Sequence, residues 1–306
     1  MRQEKESRET ESLTESLACI QSMQSILSRQ IRLIDALIAI MLGHKFASSL
    51  RDDEKPVEED VSQALIPMLQ AIGSSSNALV MLSESSGLHT RDCYSIARSI
   101  VEASINACYI MAKGEDAANR ALRHARQKAF RDLERQSIIG NSVINLVFSG
   151  KPKPESIEGL QEDIEEFTSK TGREKGWIDL SVDERILEAG SVLGGAIATL
   201  LHWSRFAVYR HSSEILHGTL FGAMYFLGLT QPGVKSGKSL EGFEDSIAQQ
   251  HVMVLLASQF ALFAIVESFH LAYGFSKALE QSEALLGELR SIPLLNPESE
   301  TTRKQD

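Results

Sequence analysis

The chain has 306 residues, 43% of them hydrophobic and 24% charged, with a formal net charge of −10 and a pI near 5.4. That length and balance imply one or two globular domains with enough apolar material for a sizeable core. The acidic charge excludes broad, non-specific nucleic-acid binding, which needs a field of Lys and Arg, but leaves room for a local basic cleft.

In chain order, residues 1–10 are densely charged, without the apolar centre of a secretory signal, and are expected to be a disordered lead-in. Residues 12–45 carry the stripe Leu13, Leu17, Ile20, Leu27, Ile31, Ile34, Leu37, Ile38, Met41, spaced by threes and fours, which predicts one long helix. A solvated loop at 51–56 ends at Pro56, and a helix over 57–83 contains Pro67. A turn at 84–89 precedes Thr90, a candidate cap for a helix over 91–113 that Gly114 stops. The next helix, 115–148, is basic in its first half, and an acidic helix follows at 156–170. Ser181 with Glu184 reads as a capping box that starts a helix running to about 208, with another over 209–229. After a glycine-rich loop at 230–240, the last long helix covers about 242–290, and Pro293 opens a disordered tail, 293–306.

Period-3.6 patterns dominate and period-two alternation is scarce, so the expected fold is all-α: a bundle of about eight helices forming one domain over 11–292. The most apolar run, 252–266, is interrupted by Gln259 and reads as a buried core helix rather than a membrane span. The long apolar stripe of 12–45 exceeds what one average neighbour covers, which predicts a homodimer or larger assembly burying that helix.

Chemical signals are sparse. Gly233 to Ser239 lacks the spacing of a phosphate-binding loop and follows a helix rather than a strand. Cys19, Cys93 and Cys108 are odd in number and lack metal-ligand spacing, as in reduced cytoplasmic proteins. Glu214 and His217 form Glu-x2-His without the second copy a di-iron bundle needs, so neither a metal nor a cofactor is expected. On a continuing helix Arg210, Glu214 and His217 share one face, with Ser213 four residues before His217. Such a group can hold a phosphodiester and move a proton; it can equally be a structural Arg210–Glu214 pair with a hydrogen-bonded His217. Arg205 and His211 have comparable spacing, but at an angle that would not share a face. Arg98 and Glu102, stacked at i,i+4 with Tyr109 further along, read either as a structural ion pair or as the lining of a cleft.

Arg98, Ser99, Glu102 and Tyr109, followed by Tyr209, Ser213, His217 and Gly218, resemble the pattern of an uncharacterised bacterial family of helical proteins, over roughly 60–270. That family is in turn distantly similar to the HEPN superfamily, helical domains of toxins and phage-defence systems. Many of those are dimeric, metal-independent ribonucleases whose motif is an Arg, then a polar residue, then a His after four to six intervening residues, which Arg210, His211 and His217 resemble with six intervening. The resemblance implies a HEPN-like bundle and a cytoplasmic ribonuclease or toxin-type effector acting on RNA. Arg210 would hold the phosphate and His217 would move the proton, supported by Arg98, Glu102, Tyr209, Ser213 and Glu214. The other reading is a non-catalytic helical subunit that regulates or scaffolds a partner protein from the same operon.

Overall fold

The computed structural model describes residues 2–43, 54–84, 89–147, 150–225 and 240–295. The loop Gly233–Ser239, the end of the helix expected over 209–229, parts of the loops at 51–56 and 84–89, and residues 296–306 of the tail lie outside them.

The protein is predominantly helical, as the periodicity implies. Helix α1 (Arg2–Gly43) is longer than expected: the lead-in is helical from Arg2 onward. α2 (Glu59–Ser83) runs through Pro67, and α3 (Thr90–Lys113) ends where Gly114 turns to φ 68°. The helix expected over 115–148 is instead α4 (Glu115–Asp132) followed by a β-hairpin, β1 (Glu134–Ile139) and β2 (Ser142–Val147). The cause is local. Ile138, Ile139, Val143, Ile144 and Val147 are β-branched, and Gly140 at φ 59°, followed by Asn141, supplies the positive φ of a two-residue hairpin turn. α5 (Leu160–Phe167) follows. α6 (Val182–Leu193) opens on the Ser181–Glu184 capping box, with both reciprocal hydrogen bonds present. Gly194, at φ 115°, separates α6 from α7 (Gly195–Leu216), and α8 is short (Leu220–Tyr225). The expected last helix is two, α9 (Leu240–Tyr273) and α10 (Ser276–Arg290), parted by Gly274 at φ 87°.

α9 is the axis of the bundle and packs against α1, α3, α7 and α10; α3 also contacts α2, α6 and α7. α2 and α9 are long and apolar enough to cross a membrane, yet 83% of the α9 window is buried inside the bundle. Gln259, which interrupts the apolar run, is fully buried and serves α1: its Nε2 donates to the Met23 carbonyl at 2.9 Å, and Gln30 Nε2 donates back to the Gln259 carbonyl at 3.1 Å. Asp245 likewise receives Ser12 and Ser16 at 2.8 Å each. From Ile20 to Met41 the apolar stripe of α1 is buried within the bundle, against α2, α9 and α10 of the same chain, while Leu17 stays exposed.

The basic half of α4 is neutralised internally. Arg123 and Arg126 grip the two oxygens of the fully buried Asp163 on α5, Arg120 and Arg123 reach Glu166, and Lys128 reaches Glu174. This row of cations ties α5 to α4 and is not a free surface for an anionic polymer.

A buried histidine couples the bundle to pH. His251 on α9 is fully buried, with Thr90 Oγ1 3.3 Å from its Nδ1, and burial, aided by His89, pulls it down to about 4. Its folded value lies below the unfolded value of about 6.5, so the unfolded chain takes the proton first. The stability is present above pH 6.5 and is lost as pH falls towards 4, by on the order of 3 kcal/mol for this group. Denaturant titrations at pH 7 and pH 4.5 should show the drop, and it should shrink in His251→Gln.

Candidate functional site

Where α7 passes between α3, α8 and α9, a cleft of about 640 Å³ opens, within the size range of ligand sites. α7 supplies most of the lining, including Arg205, Phe206, Tyr209, Arg210, His211 and Glu214; Tyr94 of α3, Tyr225 of α8 and Met253 of α9 also face it, as does Ser213 of α7. α8 lies close because Gly222 has no side chain: a Cβ there would stand 2.5 Å from the Glu214 carbonyl oxygen.

His211 is the centre of the cleft. Its ring stacks on Tyr225 (centroids 3.9 Å apart, planes 15° apart) and meets Tyr94 edge-on at 6.0 Å. Its Nδ1 is buried with no hydrogen-bond partner among the described residues. Burial, and secondarily the charge of Arg210, pull its pKa below the ordinary value, so the imidazole is neutral at pH 7. Arg210 is exposed at the rim and makes no salt bridge among the described residues. Glu214 accepts from Thr219 Oγ1 at 2.6 Å, and no Arg210–Glu214 pair forms.

Beside the cleft lies a polar cluster. Tyr209 is held between two guanidinium groups, Arg98 at 4.3 Å and Arg205 at 4.9 Å from its ring centroid. Glu102 Oε1 accepts from the Tyr209 hydroxyl at 2.5 Å and from Arg98 Nε at 2.8 Å. Burial and the Glu102 hydrogen bond push the Tyr209 phenol up. Arg205 is anchored on Asp183 at 2.8 Å. Arg185 donates to Asn106, and burial pulls its guanidinium down. Tyr209 and Arg205 belong to both cluster and cleft, so Arg98 and Glu102 fix one wall.

Of the residues singled out in the sequence, Arg98, Glu102 and Tyr209 come together, and Arg210, Ser213 and Glu214 line the cleft. Tyr109 stands apart, buried edge-on against Trp177 at 5.9 Å. His217 is not among the lining residues. α7 ends at Leu216, His217 is its exposed C-cap, and Gly218 at φ 63° turns the chain away. The shared face of 210, 214 and 217 required a helix that continues, and this one stops one residue short. The sequence places His211 only as the polar residue of the Arg210–His211–His217 motif and gives the proton to His217; the structure puts His211 inside the cleft, which Arg205 also lines. Tyr94 and Tyr225 carry no sequence signal beyond being aromatic. Among the described residues no group of three or more His, Cys, Asp or Glu side chains is placed to hold a metal ion.

Residues 63–234, more than half of the chain, match the model of a family of unknown function, DUF5677. The chain belongs to that family. The DUF5677 match runs from α2 through α8 and so contains the Arg98–Glu102–Tyr209 cluster and the whole α7 contribution to the cleft. Met253 on α9 is the one lining residue beyond it. No curated protein and no solved structure matches the chain.

Proposed function

We propose that this member of DUF5677 is a metal-independent endoribonuclease of the HEPN type, a cytoplasmic toxin-type effector of a bacterial defence system, and that its chemistry takes place in the α7 cleft. The observation that carries this reading is the pairing in one cleft of the half-buried His211, whose pKa burial and Arg210 pull down, with Arg210, exposed at the rim and without a salt bridge among the described residues. A neutral imidazole accepts a proton, and a free guanidinium holds the non-bridging oxygens of a phosphodiester. In this scheme the His211 imidazole takes the proton of a ribose 2′-hydroxyl through Nε2, Nδ1 being buried, and the 2′-oxygen bonds to phosphorus as the bond to the 5′-oxygen breaks. The 5′-oxygen takes its proton from water at the open mouth. Arg210 and Arg205 offset the charge that builds on the phosphorus oxygens. Phe206, 83% exposed at the edge of the cleft, offers a flat apolar surface on which a base can stack. Arg98 and Glu102 act through Tyr209, holding the wall rather than touching the substrate.

The purified chain incubated with single-stranded RNA in excess EDTA should cleave it and leave 2′,3′-cyclic phosphate and 5′-hydroxyl ends. Cleavage abolished by EDTA, or 3′-hydroxyl ends, would contradict the scheme.

A second reading, a non-catalytic subunit that docks on a partner protein from the same operon, is favoured by one feature, the exposed apolar hairpin β1–β2. Under it RNA is left intact and substitutions in the cleft change nothing measurable in partner binding.

A further inference from the structure

Glu214 lines the same cleft as Arg210, four residues further along α7, and the two do not pair. An Arg and a Glu at that spacing on one helix face ordinarily attract each other. The carboxylate is held instead by the start of α8. Gly222 N–H donates to Thr219 Oγ1 at 3.0 Å, and Thr219 Oγ1 donates to Glu214 Oε2 at 2.6 Å. Among the described residues Glu214 makes no salt bridge, and its Oε1 accepts no hydrogen bond. Each carboxylate oxygen can accept two hydrogen bonds, so both keep acceptor capacity in this half-buried, oriented group.

The helix sets the spacing. Phe206, Arg210 and Glu214 stand at i, i+4 and i+8, one row along one face of α7, and all three line the cleft. At a rise of about 1.5 Å per residue, neighbours in the row are about 6 Å apart along the helix axis. That is close to the step between successive nucleotides of an extended strand. With the cleaved phosphate at Arg210, one flanking base lies at Phe206 and the other at Glu214.

A carboxylate repels a nearby phosphodiester, so its presence in an RNA cleft is unfavourable unless it meets hydrogen-bond donors. Single-stranded bases offer donors on their edges. Guanine alone has two adjacent donors on its Watson–Crick edge, the N1 imino and the N2 amino groups, which match the two oxygens of a carboxylate. Adenine and cytosine set an acceptor nitrogen beside their amino group, and uracil flanks its one imino group with carbonyl oxygens. Each of those turns a lone pair towards the carboxylate. We propose that Glu214 is the specificity-determining residue of the cleft and selects guanine on one side of the cleaved phosphate, an assignment that rests on the nuclease reading of the same site.

The test is calorimetric titration of the full chain with the complete set of RNA dinucleotides, made non-cleavable by a 2′-deoxy sugar at the scissile position. Those with guanine at one fixed position should bind about 10–100-fold tighter than the rest, the usual worth of a bidentate base contact. Glu214→Gln keeps an acceptor for Thr219 but sets a donor beside it, the complement of the adenine amino group and N1. It should erase the guanine preference and favour adenine, with an unchanged far-UV circular dichroism spectrum. Phe206→Ala should weaken every dinucleotide by about 10-fold, through lost stacking, and leave the preference in place. Binding without base preference, a preference for another base, a guanine preference that survives Glu214→Gln, or no binding at millimolar dinucleotide would overturn the proposal. Cleavage of single-stranded RNA judges the nuclease reading separately. Guanine-selective binding without cleavage would support the role of Glu214 and sink that reading, whereas cleavage without base preference would do the reverse.

Discussion

His211→Ala is expected to slow RNA cleavage by about 10²–10⁴-fold, the usual worth of a positioned proton-transfer group. Arg210→Ala should cost a comparable factor, about 10²–10³, because it removes the uncommitted charge facing the phosphate. Neither change should unfold the protein. Arg210 is exposed and unpaired among the described residues, and His211 holds its place by ring contacts with Tyr225 and Tyr94 rather than by a hydrogen bond through Nδ1. The pH profile carries a second signature. Burial and Arg210 keep the imidazole neutral at pH 7, so the rate should be full there and fall only below His211's depressed pKa, under the ordinary 6.5. Single-turnover rates from pH 4.5 to 8 would show it; a limb centred above 6.5 would mean that some other group takes the proton.

Asp163→Ala is expected to lower the free energy of unfolding by about 3 kcal/mol, the lower end of what breaking a buried ion pair costs. The carboxylate is fully buried, with Arg123 Nε at 2.7 Å from one oxygen and Arg126 Nε at 2.7 Å from the other. Removing it leaves two guanidinium groups facing each other beside Arg120 with no shared anion. Both are partly exposed and recover some hydration, which is why the loss sits at the lower end. Asp163→Asn keeps an acceptor and should cost less. Urea midpoints would decide it, and a change under about 1 kcal/mol would show that α5 is held mainly by Phe167 and Leu160 in the core.

The helices were legible in the sequence wherever one rule sufficed. The apolar stripe of α1, the Ser181–Glu184 box and the stop at Gly114 all appear where spacing and capping chemistry place them. The misreadings share a cause. Gly194 and Gly274 break helices whose apolar pattern runs on across the break, and periodicity alone cannot see a single residue at positive φ. The hairpin was read as helix because the basic pattern of α4 was extended past Asp132 into a stretch of β-branched residues around Gly140. At the site, Arg98, Glu102 and Tyr209 could be singled out from their types and spacing, but the contact between α3 and α7 that joins them is tertiary. His217 looked like the better histidine because a helical wheel assumes the helix continues. His211 is the one in the cleft because α8 folds back at Gly218 and lays Tyr225 against it.

The most direct test follows the ring nitrogens of both histidines by NMR while a non-cleavable RNA dinucleotide, 2′-deoxy at the scissile position, is titrated into the full chain. The His211 resonances should move with saturation and those of His217 should stay, with the His211 shift weakened in Arg210→Ala. Movement of His217 with His211 unaffected, or no movement of either at millimolar dinucleotide, would contradict the assignment of the α7 cleft as the place where RNA binds and is cut.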